Sequence, residues 1–112
     1  MRPEAAKFLQ DILDAADRIV EYVSETSRDE FLARQALRDA VHWNFLIIGE
    51  ALSQLHQIDP ETVERIDEWR RIIGFRNRLI HGYGVIKNDI TWDIIETRLQ
   101  KLRKDVQNLL SQ

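Results

Sequence analysis

The spacing of the apolar residues most narrows the folds open to this chain. They return every three and four positions along nearly its whole length, the period of one helix face, without the alternation of a half-buried strand. Only four glycines and two prolines punctuate 112 residues, so the helical segments are long. Behind Pro3, the stripe Phe8, Ile12, Ala15, Ala16, Ile19 and Val23 predicts a first helix over residues 3–25. Ser27 and Glu30 have capping-box spacing and open a second that runs to Gln57. Asp59-Pro60 supplies an N-cap and a proline at the first helical position for a third region, which can break near Ile66-Asp67 and continues to His81, before Gly82 and Gly84. Asn88-Asp89 can cap a last helix, Ile90 to Leu110, striped by Ile90, Ile94, Ile95, Leu99, Leu102, Val106 and Leu109. The expectation is an all-α fold: a single domain over residues 1–112, built as an up-and-down four-helix bundle with short connections.

The second helix has two apolar sides. At 100° per residue, Leu37, Phe45, Ile48, Leu52 and Leu55 fall within about 40° of Val41 and make one core stripe. Ala36, Ala40, Trp43, Ile47 and Ala51 occupy a second sector about 200° to 280° around. Two faces need two partners: either this helix is central to the bundle, or one sector joins two copies as a homodimer, and both can hold. Glu50 borders the second sector, where it is an ordinary boundary glutamate or an acceptor for a basic group nearby.

Charge is sorted along the chain. Residues 69–88 contain Arg70, Arg71, Arg76, Arg78 and Lys87 and no acid, a formal +5, so on a total of −3 the other 92 residues carry −8. With Trp69, Phe75 and Tyr83 interleaved, this stretch fits a local phosphate-binding surface; the plainer alternative pairs the arginines with acids elsewhere. There is no cysteine, which removes disulfides, thiolate metal sites and cysteine nucleophiles. His42 and His56 lack partners at metal-ligand spacing and read as surface or packing residues, and no cofactor is expected. The start Met1-Arg2-Pro3-Glu4, with Asp11 close behind, fits neither a secretory signal nor a membrane span, and the expected location is the cytoplasm.

Within the basic stretch lies Arg76-Asn77-Arg78-Leu79-Ile80-His81-Gly82-Tyr83. On a continuous helix Asn77 and His81 share a face, whereas Arg76 points about 140° away from His81 unless the helix end bends. Arg76, four residues, His81, one residue and Tyr83 resemble the Arg-x4-His-x-Tyr motif of the HepT-like toxins, a branch of the HEPN superfamily of helical ribonucleases. The segment Asn44 to Leu52 around Gly49-Glu50-Ala51 is similar to that family's second helix, Trp69 with Ile72 to Asn77 to its approach to the motif, and Ile90 to Ile95 around Trp92 to the start of its last helix.

The resemblance implies a homodimeric four-helix bundle acting as the toxin of a toxin–antitoxin pair. It implies an endoribonuclease with a composite site at the dimer interface, and a minimal nucleotidyltransferase antitoxin that silences the toxin by adenylylating Tyr83. Metal-independent cleavage uses the 2′-hydroxyl of the RNA as nucleophile, so the protein must move protons and stabilise a phosphorane. His81 suits the proton transfers because imidazole titrates near neutrality, and Arg76 suits the phosphate because its fork stays charged. Asn77, Tyr83 and Glu50 are expected to support them, with Arg70, Arg71, Arg78 and Lys87 contacting RNA. The rival reading is a non-catalytic dimeric helical module that presents Tyr83 and the basic patch to a nucleotidyltransferase or a nucleotide.

Overall fold

The computed structural model describes residues 1–82 and 86–112. Among these residues the chain is all-helical, with seven helices and no strand: α1 (Pro3–Val23), α2 (Arg28–Ala33), α3 (Gln35–Ile58), α4 (Pro60–Val63), α5 (Trp69–His81), α6 (Asn88–Thr97) and α7 (Leu99–Leu110). Two of the three N-caps read from sequence are present. Ser27 Oγ accepts from the Glu30 amide at 3.1 Å while the Ser27 amide donates to Glu30 Oε1, and Asp59 Oδ1 accepts from the Thr62 amide at 3.3 Å ahead of Pro60.

Where four rods were expected, three of them are interrupted. The second breaks at Arg34, whose backbone is extended at φ −114°, ψ 96°. The carbonyls left open at the end of α2 are met by Arg38, whose Nη1 donates to Leu32 O at 2.6 Å and Phe31 O at 3.4 Å. The break lets α2 turn so that Phe31 is fully buried, its ring 5.3 Å from that of Trp92. The third region breaks between α4 and α5, around the anticipated Ile66-Asp67, and the Asp67 amide donates to the buried Asp105 of α7 at 2.9 Å. The last rod is interrupted at Arg98, φ −121°, ψ −29°. Its start also differs: α6 begins at Asn88 with Lys87 as the cap residue and no side-chain cap bond, while Asp89 sits in the first turn.

α3 is the organising element, packing against α1, α2, α4 and α5, while α1 also meets α7 and α6 meets α2 and α7. Its expected core stripe, Leu37, Val41, Phe45, Ile48, Leu52 and Leu55, is buried throughout. Each such side chain contributes about 1.5–3 kcal/mol of transfer free energy. Asn44 is buried beside this stripe and is satisfied, accepting from Arg18 Nε of α1 at 2.7 Å and donating to Ala40 O at 2.9 Å. No helix among the described residues is long and apolar enough to cross a membrane.

His42 ties α3 to α6 through a 2.8 Å hydrogen bond between Nε2 and Thr91 Oγ1. Burial pushes its pKa below the ordinary 6.5, with Asp39 opposing and Arg38 assisting that shift. A native histidine that resists protonation loses ground to an unfolded chain that accepts the proton. Its contribution to stability is therefore undiminished above pH 6.5 and falls as the pH drops from there towards the native pKa. Urea midpoints measured at pH 7.5 and pH 5.5 should differ less for His42→Gln than for the unsubstituted protein.

Candidate active site

The site begins with a close approach between α3 and α5. A Cβ placed on Gly49 would lie 2.3 Å from Arg76 Cβ and 2.4 Å from Arg76 Cγ, so only a glycine allows the Arg76 stem to cross α3 at this point. The next residue receives the head group: Arg76 Nη1 lies 3.0 Å from Glu50 Oε2 and Nη2 donates to Ser53 Oγ at 2.6 Å. Gln54 Nε2 donates to the other Glu50 oxygen at 3.0 Å and holds that carboxylate in place. Gly49, Glu50 and Ser53 thus act together, at adjacent and i, i+4 positions on one side of α3.

Glu50, read from sequence as an acceptor for a nearby basic group or a boundary residue, is seen here accepting from Arg76. Ser53 was missed. Its signal was present in the spacing, since Gly49 and Ser53 share a face one turn apart, but nothing in the sequence says which helix crosses there. The Arg76 side chain is 13% exposed, and its Nε–H is buried with no acceptor among the described residues. Such an unmet donor costs about 1–3 kcal/mol, more when charged.

The other candidates lie elsewhere on α5. The helix continues unbroken through His81 and ends at Gly82, so Arg76 and His81 leave it about 140° apart. Arg76 is directed at α3, whereas His81 and Asn77 are exposed and their side chains make no hydrogen bond among the described residues. Arg70 pairs with Glu64 and stacks on Trp69, with its guanidinium carbon 4.3 Å from the ring centroid, and Arg71 pairs with Glu68. Arg78 and Lys87 are exposed and have no acidic partner among the described residues. Tyr83 lies outside the described residues. His56 stacks on Trp69 at 4.8 Å, and His42 bonds Thr91, both packing positions.

Beside Arg76 opens an apolar groove of about 380 Å³ bordered by Phe8, Trp43, Ile47, Ile80 and Glu50. Trp43 is 64% and Ile80 49% exposed. The second apolar sector of α3 is therefore only partly covered: Ala51 is buried and Ile47 half-buried, while Ala36 and Trp43 face outward. Among the described residues, no group of three or more histidine and carboxylate side chains could hold a metal ion.

These features define a small all-helical protein whose basic helix carries an anchored arginine on one side and an exposed histidine on the other. Residues 12–109 match the family model Ribonuclease HepT-like, and the chain belongs to that family. Its enzyme class is that of the family, a ribonuclease. It is 32% identical over 100 residues to "Putative RNase MJ1380" of Methanocaldococcus jannaschii, covering 89% of this chain and 91% of that protein. Identity is 30% over 103 residues to "Putative RNase TTE0752" of Caldanaerobacter subterraneus, 92% and 91% of the two chains. It is 26% over 112 residues to "Probable ribonuclease HepT" of Thermococcus cleftensis, 97% and 98%. No solved structure gives a significant match.

Gly49→Ala should destabilise the protein by about 1–3 kcal/mol, because the added methyl meets the base of the Arg76 side chain rather than a flexible tip. Chemical denaturation at neutral pH checks this, and an unchanged midpoint would mean that α3 and α5 separate without cost.

Proposed function

We propose that this protein is a metal-independent endoribonuclease, the toxin of a toxin–antitoxin pair, in which His81 moves protons and Arg76 binds phosphate. The observation that carries the reading is that Arg76 and His81 keep the HepT-like spacing on α5 within a chain matched by the ribonuclease family model over residues 12–109. The held Arg76 fork supports it: Nη1 and Nη2 are fixed by Glu50 and Ser53 beside an open groove, a placement suited to a phosphate.

In the proposed reaction the 2′-oxygen of one nucleotide forms a bond to the adjacent phosphorus and gives its proton to an imidazole. The bond from phosphorus to O5′ then breaks, and O5′ takes up a proton. The products are a 2′,3′-cyclic phosphate and a 5′-hydroxyl. Arg76 neutralises the charge that gathers on the phosphoryl oxygens, Asn77 orients His81 or donates to phosphate, and Glu50 holds Arg76. Arg70, Arg71, Arg78 and Lys87 contact the RNA backbone.

The reading includes a single domain over residues 1–112, an up-and-down four-helix arrangement and a homodimer in the cytoplasm. The divergence of Arg76 and His81 in one chain supports the dimer, since a second copy can supply the group that the first directs away. The outward Trp43 and Ile80 beside Arg76 offer a surface for it. A minimal nucleotidyltransferase antitoxin would silence the enzyme by adenylylating Tyr83, placing an anionic group where the RNA phosphate binds.

His81→Ala should lower cleavage of total RNA in EDTA by about 10²–10⁴-fold with circular dichroism unchanged, and the wild-type products should end in 2′,3′-cyclic phosphate. Arg76→Met should abolish turnover yet leave the melting temperature unchanged or raised, because it keeps the stem and removes a largely buried charge whose Nε–H has no acceptor among the described residues. Unmodified wild-type protein that cleaves nothing would favour the non-catalytic module binding a nucleotidyltransferase or a nucleotide.

A further inference from the structure

α5 and α6 enclose a second cleft, of about 470 Å³, on the side of α5 away from Arg76. Ile72 and Phe75 of α5 and Ile90 and Ile94 of α6 supply its apolar lining, and an adjoining recess of about 270 Å³ shares Phe75, Arg78 and Ile90 and adds Ile86 and Lys87. Ile90 and Ile94, read from sequence as core, are only partly covered here; Ile90 is 37% exposed.

The rim is cationic. Asp93 is already neutralised by Arg28 at 3.3 Å, and Arg71 and Arg98 share the single carboxylate of Glu68 at 3.2 and 3.9 Å. Arg78 and Lys87 have no acid partner among the described residues. A cleft with an apolar lining and cations that lack an acid partner among the described residues fits a nucleobase with its phosphate better than an apolar peptide.

Gly74 is the independent observation. It lies in the middle of α5, where glycine weakens a helix, it has no positive φ, and a Cβ added there would meet nothing within 4 Å. No packing within the protein requires a glycine at this position. It borders the cleft, where bare backbone leaves room for a ligand to approach. On the helical wheel Arg71, Gly74, Arg78 and His81 fall within about 80° of one another, so the cleft continues along α5 towards the exposed histidine.

We propose that the α5–α6 cleft is a substrate subsite in which a nucleobase of single-stranded RNA rests on Phe75, Ile90 and Ile94 beside Gly74, with its phosphate held by Arg78 and Lys87. This rests on the ribonuclease reading and places a neighbouring nucleotide so that the strand runs to His81. The test is binding of a 2′-O-methylated RNA octamer, which cannot be cleaved by 2′-oxygen attack, followed by fluorescence anisotropy alongside turnover of ordinary RNA.

Gly74→Leu, which fills the cleft and favours the helix, should weaken octamer binding by about 5- to 100-fold and raise KM without lowering the melting temperature. Ile90→Glu, at a partly exposed position, should weaken binding in the same way. Unchanged affinity in both variants, or no octamer binding by the wild-type protein, overturns the subsite. Wild-type protein that binds the octamer through this cleft but cleaves no RNA overturns the catalytic reading and leaves the subsite standing.

Discussion

The crossing of Arg76 over Gly49 is the contact on which the rest of the arrangement depends. It sets how closely α5 lies on α3, and with that spacing fixed the guanidinium reaches Glu50 and Ser53 instead of solvent. Because α5 is continuous from Trp69 to His81, anchoring Arg76 also orients the whole helix. Arg71, Gly74, Arg78 and His81 are thereby turned to the opposite side, about half a turn away. One steric allowance on α3 thus determines which basic residue is locked and which remain exposed.

The locked arginine is held at a cost to the fold. Glu50 is more than half exposed, so its pair with Arg76 is well hydrated and adds little to stability, while the buried Nε–H goes unmet. The gain is geometric: two donors are fixed on known partners and the stem cannot swing. The exposed basic residues follow another logic. Arg70 and Arg71 are tied to acids of their own neighbourhood, leaving Arg78 and Lys87 without an acidic partner among the described residues. The local excess of +5 read from sequence is therefore smaller in effect than its formal value.

The helical breaks belong to the same account. Turning at Arg34 lets α2 reach α6 through Phe31 and Trp92, and the interruption at Arg98 lets α6 leave the line of α7. At Ile90 and Ile94 a cleft lies between α6 and α5, and neither residue is fully buried. The same glycine-poor chain that makes long helices uses arginines, through Arg38 on the α2 carbonyls and Arg98 on Glu68, to stabilise the points where they stop.

The sequence by itself determined the helical class, the core stripe of α3, two of the three helix caps, the break near Ile66-Asp67 and the likeness to the HepT-like ribonuclease family. These are local or periodic properties: a cap is decided within four residues and a stripe by 3.6-residue geometry. The divergence of Arg76 from His81 was also legible, since it follows from five residues of unbroken helix. Only the tertiary structure decided that Gly49 yields to Arg76, that Ser53 completes its cradle, that the rods break at Arg34 and Arg98, and that Ile90 and Ile94 line a cleft rather than the core. Each of these depends on which faces meet across long sequence separations, and helical periodicity specifies that a face is apolar without specifying what will cover it.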